Sequence, residues 1–145
     1  MAELHDGPIP RSRGDLAIPP DCGAVVQFAG VVRNHHQGQP VLGIHYHAYA
    51  PLALRALGEL EAACRHRFEL PLCEIVHGTG WMTVGEVSVL IVTASPHRDA
   101  AYQANRWAID QLKETVPIWK QERFADGHEA FAAGLPIRKL QASTP

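Results

Sequence analysis

Lysine is scarce in this 145-residue chain, and two of its three lysines, Lys113 and Lys120, bracket one short segment in a sequence that otherwise carries its positive charge on ten arginines. Between them runs Glu-Thr-Val-Pro-Ile-Trp, where Pro117 ends a helical pattern and forces the chain to turn. Two ammonium groups held close and partly desolvated beside Trp119 depress each other's pKa, bind an anion and can pass a proton. A lysine in a last helical turn also complements the macrodipole, and a lysine after a tryptophan can lay its stem along the ring. Spacing alone leaves both readings open.

Other cation-bearing positions fall at element ends. Ser95, Pro96, His97 and Arg98 stand where an apolar strand pattern passes into a helix, and a helix N-terminus with a fork-shaped guanidinium and an imidazole beside it holds anions. The same geometry suits a plain serine cap. Arg33 closes the first strand pattern, a frequent place for binding residues. His35, His36, His45 and His47 raise a metal reading, but no third ligand of diagnostic spacing accompanies the His45-x-His47 pair, and no metal is expected. Cys22, Cys64 and Cys73 are scattered and unpaired in spacing, so reduced thiols are expected.

The elements that must position these residues are legible from periodicity. Residues 1–20, with Gly7, Pro8, Pro10, Gly14, Pro19 and Pro20, read as an irregular leader, and residues 21–145 as one domain. A β-rich run covers 23–33 with Gly30 inside it, then a polar loop covers 34–40 and an alternating strand 41–49. A helix opens at Pro51, carries Leu57, Leu60 and Cys64 on its apolar stripe, and is stopped by Pro71. A short strand at 72–77, a turn at Gly78-Thr79-Gly80 and a strand buried on both faces at 86–94 follow. A second helix runs from about 97 or 98 to 114 on Ala101, Ala104, Ala108 and Leu112, and 116–123 is extended. The order predicts an α+β fold: a mostly antiparallel sheet covered by two main helices.

Hydrophobic residues make up 46% of the chain, which supports a core and excludes a disordered tail. The net charge of -2 excludes a uniformly basic nucleic-acid binder. Apolar runs such as 89–92 are too short to span a bilayer, and the first residues lack a signal pattern, so a soluble cytoplasmic protein is expected.

As an ordered set these residues resemble the catalytic (large) subunit of molybdopterin synthase. The stretch from Phe28 to Arg33 carries the resemblance, with Tyr46, Ala48 and Tyr49, then Gly80, Gly85 and Glu86, then Ser95, His97 and Arg98, and finally Leu112-Lys113 through Pro117-Ile118-Trp119-Lys120 to Glu122. The resemblance spans roughly 22–127. It implies an α/β-hammerhead-type fold and a homodimer in which each subunit binds a small ubiquitin-like sulfur carrier ending in Gly-Gly, a heterotetramer overall. It further implies sulfur transfer from the carrier's C-terminal thiocarboxylate to cyclic pyranopterin monophosphate, making the dithiolene of molybdopterin without a cofactor. Carried over by motif, Lys113 is the principal catalytic lysine and Lys120 assists. Arg33, His97 and Arg98 form the anionic-substrate pocket, with some residues contributed across the dimer. The family usually has Glu at position 47, Arg at 78 and an aromatic, Arg-containing tail, where this chain has His47, Gly78 and the tail holding Arg138. Those departures keep an alternative open: a weakly active or non-catalytic paralogue that binds the carrier tail.

Overall fold

The computed structural model describes residues 1–132. Its strands are β1 (Glu3–Asp6), β2 (Ala24–Val31), β3 (His35–His36), β4 (Gln39–Ala48), β5 (Leu72–Thr83), β6 (Val87–Ser95), β7 (Ile118–Phe124) and β8 (Glu129–Phe131), and its helices are α1 (Ala50–Phe68) and α2 (Arg98–Thr115). The sheet runs in the order β2-β6-β5-β4-β7-β8, with β1 on β5 and β3 on β4. Every pairing is antiparallel except β1 with β5. This is the expected α+β architecture. The tail around Arg138 lies outside the described residues.

Both helices bury the stripes that periodicity assigns to them. α1 starts with Pro51 in its first turn and turns Ala53, Leu57, Leu60 and Cys64 inward. It ends at Glu69 rather than at Pro71, because Glu69 enters the left-handed region at φ 51° and its N–H returns to the carbonyls of Arg65 and His66. α2 buries Ala101, Ala104, Ala108 and Leu112. Its alanines let Asn105 reach the sheet, where Nδ2 donates to the carbonyls of Val26 and Ile91, both at 3.1 Å. Because β6 has a cover on each side, all of its residues are buried.

Two expectations need correction. Residues 1–20 are not simply a leader: Glu3 to Asp6 pair in register with Val76 to Thr79, and Ile9 packs with Val76, Val87 and Leu90. The partner strand lies more than seventy residues away in sequence, so no local pattern announces the pairing. Nor does Gly78-Thr79-Gly80 make a turn. β5 continues through it, pairing with β6 from Leu72 to His77 and with β4 from Gly80 to Thr83. Gly80, at φ 92°, takes up the change of direction between the two half-sheets.

Candidate active site

Alternation along β7 sorts its side chains onto two faces. Ile118, Lys120, Glu122 and Phe124 turn toward the core side, where Ile118, Glu122 and Phe124 are buried. Trp119 and Arg123 turn the other way, Trp119 toward His47 at 6.2 Å between ring centres and the Arg123 guanidinium over Trp81 at 4.8 Å. Tyr46 of β4 stands opposite Lys120 in the ladder, and Lys120 Nζ lies 6.0 Å from its ring centre. His77 of β5 meets the same ring edge-on at 5.4 Å. Lys120, Tyr46 and His77 therefore form one layer across three adjacent strands.

Charge enters this layer from two other elements. Lys113 sits in the last turn of α2 and Arg33 just beyond β2. Burial holds the Lys120 ammonium below the ordinary lysine value; Lys113 and Arg33 push it further down, against the pull of Glu122. His77 is pushed down to about 4, first by burial and then by Lys120 and Lys113, although the carbonyl of Gly78 accepts its Nδ1–H at 2.7 Å. His77 is therefore a neutral ring of fixed tautomer at neutral pH. Tyr46 is raised, chiefly by burial. The result is a partly desolvated set of cations above a neutral Tyr-His floor, suited to anionic groups and to proton transfer at an amine.

The structure thus brings Lys113, Lys120 and Arg33 into one electrostatic group. His97 and Arg98 are exposed at the opposite end of α2, where the Ser95 hydroxyl donates to the His97 carbonyl. Lys113 follows Arg98 by fifteen positions of helix, about 22 Å of axis, so one chain does not unite them. Sequence reasoning missed His77, weighed His36 only as a metal ligand, and left Tyr46 and Glu122 without a role. The period-2 alternation of β4 and β7 was the signal that could have selected the last two.

The histidines of β4 serve other contacts. His45 and His47 stack at 4.3 Å, and His47 Nε2 meets Gln121 Oε1 at 2.9 Å. Among the described residues no three His, Cys, Asp or Glu side chains gather as metal ligands. A Cβ at Gly78 would lie 2.6 Å from the Gly7 carbonyl oxygen and 2.5 Å from the Met82 methyl, so the N-terminal segment occupies the space a side chain would need.

A mixed sheet backed by two helices, with Lys113 and Lys120 grouped over a buried Tyr-His layer, defines an α+β subunit with a cationic site. Residues 9–115 match the MoaE protein family. The chain is 41% identical over 114 residues to a molybdopterin synthase catalytic subunit of Culex quinquefasciatus, covering 78% of this chain and 73% of that protein. It is 38% identical over 109 residues to the Bacillus subtilis catalytic subunit, covering 75% and 69%. The crystal structure of molybdopterin synthase from Staphylococcus aureus superposes with a TM-score of 0.83 at 35% identity, covering 90% of this chain and 96% of that one. A Helicobacter pylori complex of subunits 1 and 2 of molybdopterin-converting factor shares the fold, with a TM-score of 0.70 at 18% identity over 91% and 90% of the two chains. The chain belongs to the MoaE family of molybdopterin synthase catalytic subunits, enzymes of molybdenum cofactor biosynthesis. Among the described residues no helix is long and apolar enough to cross a membrane.

Proposed function

We propose that this chain transfers sulfur from the C-terminal thiocarboxylate of a small ubiquitin-like carrier to cyclic pyranopterin monophosphate, in two rounds that build the dithiolene of molybdopterin. The observation that carries the reading is the convergence of Lys113, Lys120 and Arg33, with Lys120 held below the usual lysine range by burial and by its cationic neighbours. A thiocarboxylate and a cyclic phosphate are both anions that repel each other in water. Clustered cations hold them together and stabilise the charge that develops as sulfur attacks and the phosphate ring opens. Lys113 is the principal catalytic lysine. Lys120, readier than an ordinary lysine to give up its proton, assists binding and proton transfer.

His97 and Arg98 join this site from a second copy of the chain in a homodimer, which their remoteness from Lys113 within one chain requires if they touch substrate. The carrier threads its Gly-Gly tail toward the lysines as an extended strand, as peptide tails do in narrow clefts. Its partnership is supported by the family and by the two-subunit complex of the Helicobacter pylori relative. The test combines purified protein, thiocarboxylated carrier and cyclic pyranopterin monophosphate, with molybdopterin read as its fluorescent oxidation product. Lys113→Ala is expected to remove product while the protein stays folded; full activity in that variant overturns the assignment.

A further inference from the structure

Glu122 is the carboxylate set against the cation group. It lies two residues after Lys120 on the same face of β7, opposite Ile44 of β4, and is 5% exposed. Its Oε1 stands 3.6 Å from Nδ1 of His36. His36 belongs to β3, on the hairpin that turns back through Gln37 and Gly38, at φ 50° and 78°, and that begins just after Arg33. A histidine on the edge hairpin thus stands beside the carboxylate whose charge favours the Lys120 ammonium. Its neighbour His35 is occupied elsewhere, with Nδ1 at 2.9 Å from Asn34 Oδ1.

We infer that His36 is a positioning residue for Lys120, acting through Glu122: when the His36 ring takes up a proton it pairs with the carboxylate and offsets the negative charge that favours the Lys120 ammonium. An imidazole meets a carboxylate either as a neutral donor or, once protonated, as an ion-pair partner, so the same contact can carry two charge states. The groups facing Lys120 are Lys113 from α2, Arg33 from the end of β2, Tyr46 from β4, His77 from β5 and Glu122 from its own strand. Those facing Glu122 are His36, Lys120 and Tyr46. Glu122 opposes the cations that push Lys120 down, so engaging it elsewhere lowers the lysine's hold on its proton. By linkage, the charge on Lys120 must in turn weigh on His36.

That reciprocity is measurable without turnover. The His36 ring is followed by NMR titration of the full chain, its signal assigned with His36→Gln. In Lys120→Gln its midpoint is expected to rise by about half to one pH unit, in the isosteric Glu122→Gln to fall by a similar amount, and in the charge-keeping Lys120→Arg to stay in place. A midpoint that moves in neither neutralised variant overturns the inference. The catalytic half rests on the proposed sulfur transfer. In His36→Gln one ionisation is expected to vanish from the pH profile of kcat/KM, with the rate on the alkaline plateau within about twofold of the parent. A loss equal at every pH marks a merely structural role and also overturns it. Coupled midpoints in a protein that makes no product leave the positioning intact and refute the proposed function instead.

Discussion

The separation of Arg98 from Lys113 along α2 makes the composite site testable by subunit mixing. Arg98 opens the helix and Lys113 lies in its last turn, about 22 Å away at 1.5 Å per residue, beyond the combined reach of the two side chains. If each site takes Lys113 from one copy and Arg98 from the other, then Lys113→Ala and Arg98→Ala homodimers contain no intact site. Each is expected to lose about a hundredfold or more in rate, the scale of removing a placed charge from a transition state. A mixed dimer carries one site with both substitutions and one with neither. Mixed dimers isolated through two different tags are therefore expected to retain about half the parent activity, and a random reassembly of equal amounts about a quarter. The assay is fluorescent detection of oxidised molybdopterin at saturating thiocarboxylated carrier. Mixed dimers no better than the single variants refute the shared site, and an Arg98→Ala homodimer of full activity removes Arg98 from it.

Two further outcomes follow from the same geometry. His77, at about 4 in the folded protein against 6.5 unfolded, binds its proton more weakly when folded. Its contribution to stability is therefore complete above pH 6.5 and lost as pH falls toward 4; urea denaturation is expected to show a loss of about 2 kcal/mol between pH 8 and pH 5 that His77→Gln largely removes. Gly78→Ala sets a methyl against the Gly7 carbonyl and Met82. It is expected to cost about 1–3 kcal/mol in the same assay, and Gly78→Arg to destabilise rather than raise activity.

Much of this arrangement can be read in the sequence, for reasons that differ by element. The two helices and strands β2, β4, β6 and β7 announce themselves because apolar period and Pro or Gly boundaries are local properties. β1 escaped because its partner, β5, is far away in sequence, and the Pro-rich run that follows it, with Pro8 and Pro10, looks like a leader. Gly78-Thr79-Gly80 looked like a turn because two glycines usually break a strand; here Gly80 bends one instead. The lysine pair was visible as rarity and spacing, whereas the roles of His77 and Glu122 depend on which strands lie side by side. Neither strand order nor the neighbour across a ladder is written in local pattern. The family departures also find local meaning: His47 holds Gln121, and Gly78 leaves room for the N-terminal segment.

β5 belongs to both half-sheets at once, lending one stretch of its backbone to β6 and the next to β4. The two halves are therefore not separable foldons, since opening either strips ladder bonds from a strand the other needs. Amide protons along β5 should exchange with solvent only through whole-molecule opening, with similar protection on both sides of Gly80. A chain that loses one half-sheet retains no partial site, because His77 and the pair of Tyr46 and Lys120 stand on opposite sides of that shared strand's bend.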